Sequence, residues 1–150
     1  MPKMNLTELL SQREGKVIVF TNGVFDILHA GHVDYLEKSR ELGDALVVAV
    51  NTDESVKRLK GPTRPIHSTE DRMKVLAALR CVTCVVSFSE DTPERIISEI
   101  KPDIHSKGGD YTVDGLPESK IIHSYGGKVI IFPTLEGKST TNALRKLGVE

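Results

Sequence analysis

Two histidines three positions apart are the residues whose spacing most favours chemistry. His29 and His32 follow an apolar run and stand at the start of a stretch with helical spacing. Residues three apart share one face of a helix, and a helix start presents free backbone N–H groups to an anion. Two imidazole donors there suit a triphosphate, whose bridging oxygen gains charge as pyrophosphate leaves. The pair therefore predicts phosphate chemistry, with two hydrogen-bonded structural histidines as the alternative.

The loop that carries these histidines, 21–32, matches neither common glycine-rich phosphate motif. It has no G-x-G-x-x-G dinucleotide fingerprint and no Gly-Lys-Ser/Thr of a Walker loop. A dinucleotide-dependent dehydrogenase is therefore disfavoured.

Short apolar strands alternate with helical segments along the chain, and these elements must position the histidines. The predicted strands are Lys16–Phe20, Ala45–Val50, Cys81–Phe88, Asp103–Ser106 and Lys128–Phe132. The predicted helices run from about Gly31 to Leu42, Asp53 to Leu59, Ser68 to Leu79, Thr92 to Ile100, Glu118 to Tyr125 and Ser139 to Leu147. This alternation predicts an α/β fold with a doubly wound, mostly parallel five-stranded sheet, in a single domain over residues 1–150.

Composition narrows the function classes. A net charge of -1 over 150 residues gives no basic field for nucleic acid. No apolar run approaches the roughly 20 residues that cross a membrane, and the first eleven residues lack the apolar core of a signal peptide. We therefore expect a cytoplasmic protein that binds neither nucleic acid nor membrane.

The two cysteines, Cys81 and Cys84, have the C-x-x-C spacing of redox and zinc sites. Neighbouring valines predict that both lie in a strand, where residues three apart point to opposite faces. No second pair or histidine cluster completes a zinc set. Buried, unreactive thiols are favoured.

Further candidate residues follow the other strands, because ligands of open α/β sheets bind beyond the carboxyl ends of the strands. Lys60 is a candidate for bridging two phosphates, and Lys57 and Arg64 are weaker phosphate candidates; a solvated helix face is the alternative. Arg72 stands in the first turns of its own helix, where a cation is unfavourable to the dipole. That placement predicts contact with phosphate oxygens, with a surface ion pair to Glu70 or Asp71 as the alternative.

Two later segments suit nucleotide binding. Glycine at positions 108 and 109, before Asp110, permits a close backbone approach to a base or ribose that a Cβ would block, with an ordinary turn as the alternative. Ser139, Thr140 and Thr141 offer hydroxyls and N–H groups at a helix start, although a simple N-cap explains them equally.

The run Asn22–His32 resembles the H-x-G-H signature of the cytidylyltransferase-like nucleotidyltransferase superfamily, and the resemblance covers almost the whole chain. Asn51-Thr52-Asp53, Glu70-Asp71-Arg72 and Ser139-Thr140-Thr141 match further segments of that superfamily. The resemblance implies a Rossmann-like nucleotidyltransferase fold. It also implies a nucleotide site that includes Asn22, Gly23, Val24, Phe25, Gly31, Gly108, Gly109, Asp110, Ser139, Thr140 and Thr141.

Within the superfamily, Lys57–Gly61, Arg64-Pro65 and Lys107–Tyr111 look most like the bacterial heptose 1-phosphate adenylyltransferases. Those enzymes make ADP-heptose for lipopolysaccharide from ATP and D-glycero-β-D-manno-heptose 1-phosphate, often fused behind a sugar kinase. This chain resembles the transferase half standing alone. A triphosphate substrate implies Mg²⁺ held mainly by ATP phosphates and water, and no protein metal ligand is named because the sequence shows no dedicated carboxylate cluster. Dimers are common in the superfamily, so we expect a homodimer.

The implied mechanism is direct in-line attack of the sugar phosphate on the α-phosphorus, with no covalent intermediate. His29 and His32 would stabilise the α-phosphate and the leaving pyrophosphate, while Lys60 and Arg72 would contact phosphate oxygens.

Two alternatives to the heptose 1-phosphate enzyme stay open. One departure from the superfamily weakens a direct transfer of the glycerol 3-phosphate enzyme's site residues to this chain. Residues 133–138 lack the arginine of the R-T-E-G-I-S-T-T pattern found before the closing segment of related cytidylyltransferases. The alternatives are a CTP-dependent cytidylyltransferase for glycerol 3-phosphate or a related alcohol phosphate, and a non-catalytic nucleotide-binding module.

Overall fold

The alternation of strands and helices appears in a computed structural model, which describes residues 3–109, 111–133 and Leu147. The described elements are, in chain order, α1 Leu6–Ser11, β1 Ile18–Gly23, α2 Ala30–Glu41, β2 Ala45–Asn51, α3 Asp53–Lys60, α4 Thr69–Ala77, β3 Cys84–Phe88, α5 Glu94–Ile100, β4 Ile104–Gly108, α6 Ser119–Ser124 and β5 Lys128–Phe132. The predicted closing helix, Ser139–Leu147, lies outside the described residues apart from Leu147. No helix in the described part of the chain is long and apolar enough to span a bilayer.

The five strands form one all-parallel sheet in the order β3-β2-β1-β4-β5, which confirms the predicted α/β fold. Helices cover both faces. Leu9 of α1 and Ile97 of α5 pack on one face, and Leu36 of α2 and Leu76 of α4 pack on the other. A strand covered on both sides reads as a continuous apolar run, and all seven residues of β2 are buried.

The sheet opens at its centre, between β1 and β4. β1 pairs with β2 along its full length, but its described pairing with β4 is limited to Val19 with Ile104 and Phe20 with His105. The last residues of β1 and β4 therefore separate towards their carboxyl ends. Strand order also reverses here, and such a switch point is where open α/β sheets bind ligands.

Two strand boundaries differ from the predictions. β1 continues to Gly23 because pairing with β2 satisfies the backbone of polar Thr21 and Asn22. β3 begins only at Cys84, so the prediction that Cys81 lies in the same strand is wrong, and Cys81 occupies the turn before it. Both cysteines are free thiols, and burial raises the pKa of each, that of Cys84 to about 11. High thiol pKa values agree with unreactive side chains.

Candidate active site

A cavity of about 450 Å³ lies over the opening between β1 and β4. Its volume is within the range of small-molecule sites. Ten of the predicted site residues line it, namely Asn22, Gly23, Val24, Phe25, His29, Gly31, His32, Lys60, Arg64 and Gly108.

The two histidines build the start of α2 as well as the cavity wall. His29 is the N-cap residue, and its Nδ1 accepts a hydrogen bond from the Gly31 N–H at 3.1 Å. Nδ1 of His32 accepts from the His29 N–H at 3.3 Å, which completes a capping box. The two rings stack with their centroids 3.9 Å apart. Local capping chemistry therefore sets the orientation of both imidazoles.

These hydrogen bonds determine the tautomer of each neutral ring. Because Nδ1 accepts in both rings, the proton of a neutral ring must lie on Nε2. Burial, with a smaller contribution from the charge of His29, lowers the pKa of His32 from its ordinary value of 6.5 to about 4. His32 is therefore neutral near pH 7, with Nε2–H as its donor.

The lowered pKa of His32 predicts acid sensitivity of the fold. The unfolded chain binds this proton near pH 6.5 and the folded chain only near pH 4, so falling pH favours unfolding across that window. We expect the free energy of unfolding to fall by up to about 3 kcal/mol from this group between pH 6.5 and 4. Urea denaturation at a series of pH values measures this loss.

The His32→Gln variant is the matched comparison for this prediction. The pKa of buried His105 is also lowered, mainly by burial, so acid sensitivity from that residue remains in both proteins. An equal pH dependence in the wild type and His32→Gln would contradict the assignment.

A buried carboxylate anchors the loop after α3 beneath the cavity. Asp26 is 4% exposed and its Oδ2 accepts from Arg64 Nε at 3.3 Å and from the Ile66 N–H at 2.7 Å. Its Oδ1 accepts from the His67 N–H at 2.9 Å. Arg64 thus lies at the cavity wall, as predicted for a phosphate contact, but its guanidinium is also paired with Asp26. We did not select Asp26 from the sequence, although a carboxylate between Phe25 and Ile27 indicates a buried polar partner.

Arg72 is not at the cavity wall, contrary to the predicted contact with phosphate. The residue is 1% exposed, and its ion pair is with Asp53 at 2.8 Å rather than with Glu70 or Asp71. Its five N–H donors are all occupied at 2.8 to 3.2 Å by the carbonyl oxygens of His67, Val24 and Asn51, by Oδ1 of Asp53 and by Oγ1 of Thr69. A guanidinium has no sixth donor. The geometry therefore favours a positioning role, in which Arg72 ties the ends of β1 and β2 to α4.

The contact with Arg72 changes the pKa of Asp53. Burial alone would raise the pKa of its carboxyl group, but hydrogen bonds from Arg72 and Thr69 outweigh it and hold the pKa below its ordinary value. The charged pair is thus maintained at neutral pH.

The two lysines of α3 differ in their positions. Lys60, the last residue of α3, lines the cavity, whereas Lys57 is exposed and does not. The structure therefore brings Lys60 to the histidines and leaves Lys57 outside, so the phosphate contact predicted for Lys57 lacks support from the geometry.

Gly108 ends β4 and lines the cavity, whereas Gly109 follows the strand and is not among the lining residues. A Cβ added to Gly108 would lie 3.3 Å from the ring of Tyr35, and Gly109 has a φ of +126°, which an L side chain rarely adopts. Glycine at 108 therefore avoids crowding the ring of Tyr35, and glycine at 109 permits the backbone conformation found there. Asp110, Ser139, Thr140 and Thr141 lie outside the described residues, and their predicted roles stay predictions.

Tyr35 links β1 to β4 across the opening of the sheet. We did not select this residue from the sequence. Its hydroxyl contacts Oγ1 of Thr21 on β1 and donates to the carbonyl oxygen of Ser106 on β4 at 3.0 Å. Burial strongly raises the pKa of Tyr35, so it remains a neutral donor. Tyr35 lies three residues after His32, and this shared helix face was the available signal.

No metal centre is built from the described side chains. No group of three His, Cys, Asp or Glu lies close enough together there to hold an ion. The carboxylate of Asp26, which borders the cavity, is already used by three donors.

Known proteins share this sequence pattern. The Cytidylyltransferase-like family model matches residues 20–139. The chain is 54% identical over 139 residues to the Bifunctional protein HldE of Cronobacter sakazakii, covering 93% of this chain and 29% of that protein. The chain spans less than a third of the length of the curated relatives it matches first.

Solved structures share the fold. The lipopolysaccharide core biosynthesis protein from Thermoplasma volcanium superimposes with a TM-score of 0.65 at 35% identity, covering 81% of this chain and 98% of that one. A pantothenate synthetase from Thermus thermophilus has a TM-score of 0.61 at 15% identity, covering 90% of this chain and 62% of that one, and shows the fold alone.

Proposed function

Because the chain belongs to the cytidylyltransferase-like family of nucleotidyltransferases, we propose that it transfers AMP from ATP to D-glycero-β-D-manno-heptose 1-phosphate. The products are ADP-heptose and pyrophosphate, for lipopolysaccharide core synthesis. The similarity to a lipopolysaccharide core biosynthesis protein along nearly that protein's whole length supports this substrate class.

The observation that carries the catalytic proposal is the pair of stacked imidazoles at the N-terminus of α2. Each ring has its Nδ1 engaged by a backbone N–H, so a neutral ring carries its proton on Nε2. Donors oriented before the substrate arrives can stabilise charge that develops on phosphate oxygens without reorganising.

In the proposed mechanism the sugar phosphate attacks the α-phosphorus in line with the departing pyrophosphate. Nε2–H of His29 and of His32 donate to the α-phosphate and to the leaving group. Lys60 places a positive charge between the two phosphates, which would otherwise repel one another. Arg72 acts through the loops that it holds rather than by touching substrate.

Mg²⁺ would enter with the triphosphate and screen its charge. The described cavity residues form no cluster of metal ligands. Phosphate oxygens and water would therefore coordinate the ion, because Mg²⁺ prefers oxygen ligands and usually keeps several waters. No step assigned to the histidines or to Lys60 depends on it.

The substrate proposal predicts selective pyrophosphate release. Incubating the protein with ATP and heptose 1-phosphate should release pyrophosphate and form ADP-heptose, whereas CTP with glycerol 3-phosphate should give little. Coupled pyrophosphate detection and mass spectrometry of the nucleotide product measure both.

The reverse selectivity would establish the cytidylyltransferase alternative instead. Tight ATP binding without turnover of any sugar or polyol phosphate would favour the non-catalytic nucleotide-binding module.

The partners follow from the same proposal. A separate sugar kinase would supply the heptose 1-phosphate, and the protein would act as a homodimer. Light scattering of the purified protein measures the second point, and a monomer at assay concentration would contradict it.

A further inference from the structure

Lys107 is a partly buried lysine at the cavity that no step above uses. It lies in β4, one residue before Gly108, and lines the same cavity as Lys60. Among the described residues its one hydrogen bond is to the carbonyl oxygen of Asn22, at 3.4 Å. That distance is long for a hydrogen bond, and an ammonium group has three donors. Most of its donor capacity is therefore available at the cavity.

The charges around Lys107 do not neutralise it. No carboxylate of the described residues lies within 4 Å of its Nζ. Glu118 is the described acidic group that acts on Lys107, but its Oε1 is engaged with Nε2 of His105 at 3.0 Å. Burial lowers the pKa of Lys107, Glu118 raises it, and the positive charge of Lys60 lowers it further. Lys60 and Lys107 thus face one cavity, and the three carboxylates that also line it, those of Asp26, Asp34 and Asp91, are each paired with another cation.

A purely structural role for Lys107 does not explain why this position carries a charge. The contact with Asn22 crosses the opening between β1 and β4, and the ring of Tyr111 lies with its centroid 5.4 Å from Nζ. A neutral side chain of similar length could fill this space without the desolvation cost of a charge. A partly buried cation next to a second cation is accounted for by an anion that binds to both.

We propose that Lys107 and Lys60 together bind one phosphate group, with Lys60 on the β2 side of the opening and Lys107 on the β4 side. The inference deepens the proposed function, on which it rests for the identity of the phosphate. That phosphate belongs to the triphosphate or to the incoming phosphomonoester. Both sources present a phosphate group, so the test must distinguish the triphosphate from the phosphomonoester.

The test compares Lys107→Met with the wild type by calorimetric titration of three ligands: inorganic tripolyphosphate, ATP and glucose 1-phosphate. We expect Lys107→Met to weaken binding of at least one of them about tenfold or more, because an ammonium–phosphate contact is charge-assisted. Lys107→Arg retains the charge and should keep most of the affinity. Lys128→Met is the matched control, since Lys128 is exposed at the start of β5. Thermal melts verify the fold of each variant.

The pattern across the ligands identifies the source. Loss of affinity for tripolyphosphate and ATP alone assigns Lys107 to the triphosphate, and loss for glucose 1-phosphate alone assigns it to the incoming phosphate. Unchanged affinity for all three ligands in folded Lys107→Met overturns the inference, as does equal weakening in Lys128→Met or no binding by the wild type. A Lys107-dependent affinity in a protein that does not turn over heptose 1-phosphate would retain this site and reject the proposed substrate.

Discussion

Replacing His29 by Asn or His32 by Gln is expected to lower kcat about 10²- to 10³-fold each, the usual effect of removing one preorganised donor from a developing oxyanion. The replacements are chosen to preserve α2. Asn is among the best N-cap residues, and Gln at the third helical position can reach back to the N-cap N–H. Each variant therefore removes the Nε2–H donor while keeping an acceptor for the capping hydrogen bond.

Steady-state pyrophosphate release measures this effect, and circular dichroism with urea denaturation verifies that each variant is folded. His123→Asn is the control, because His123 lies exposed in the last turn of α6. Near-normal kcat in both folded variants would reject the catalytic role of the histidines. A loss of activity together with a loss of α2 would assign the histidines to the cap instead.

Replacing Arg72 by Met is expected to destabilise the protein by about 2–4 kcal/mol, because it removes the hydrogen bonds of a buried guanidinium, and a buried acceptor left without its donor costs roughly 1–3 kcal/mol. The variant leaves Asp53 without its cation, and it leaves the carbonyl oxygens of Val24, Asn51 and His67 without this donor. Urea denaturation near pH 7 measures the loss. Arg58→Met is a suitable control, since Arg58 is an exposed arginine paired with Asp91.

Arg72→Lys separates the positioning role from direct contact with phosphate. Lysine keeps the charge but has three donors in place of the five of a planar guanidinium, so we expect it to recover little of the stability. A stable Arg72→Lys protein with strongly reduced kcat would instead support the original prediction that Arg72 touches phosphate oxygens.

Local sequence was sufficient for the features that depend on neighbours in the chain. Strands of a parallel sheet read as apolar runs, so the runs at Ala45–Val50 and Lys128–Phe132 located β2 and β5 closely, although only β2 is fully buried. The position of His29 and His32 at the start of α2 follows from helix capping within four residues. Strand ends were less predictable, because Thr21 and Asn22 remain in β1 only through pairing with β2.

The tertiary structure determines which basic side chains are available to a ligand. In the sequence, nothing distinguishes which of the cations Arg72, Lys60 and Lys107 can reach a ligand. Folding engages all five donors of Arg72 behind the cavity, leaves Lys60 at the cavity wall and brings Lys107 across from it. The physical reason is that a hydrogen bond or charge contact depends on distance in space, and residues such as Asn51 and Arg72 or Asn22 and Lys107 meet only when the sheet has assembled. The sequence by itself therefore determined the α/β class and the two capping histidines, and the assembled sheet determined which cations remain available to a ligand.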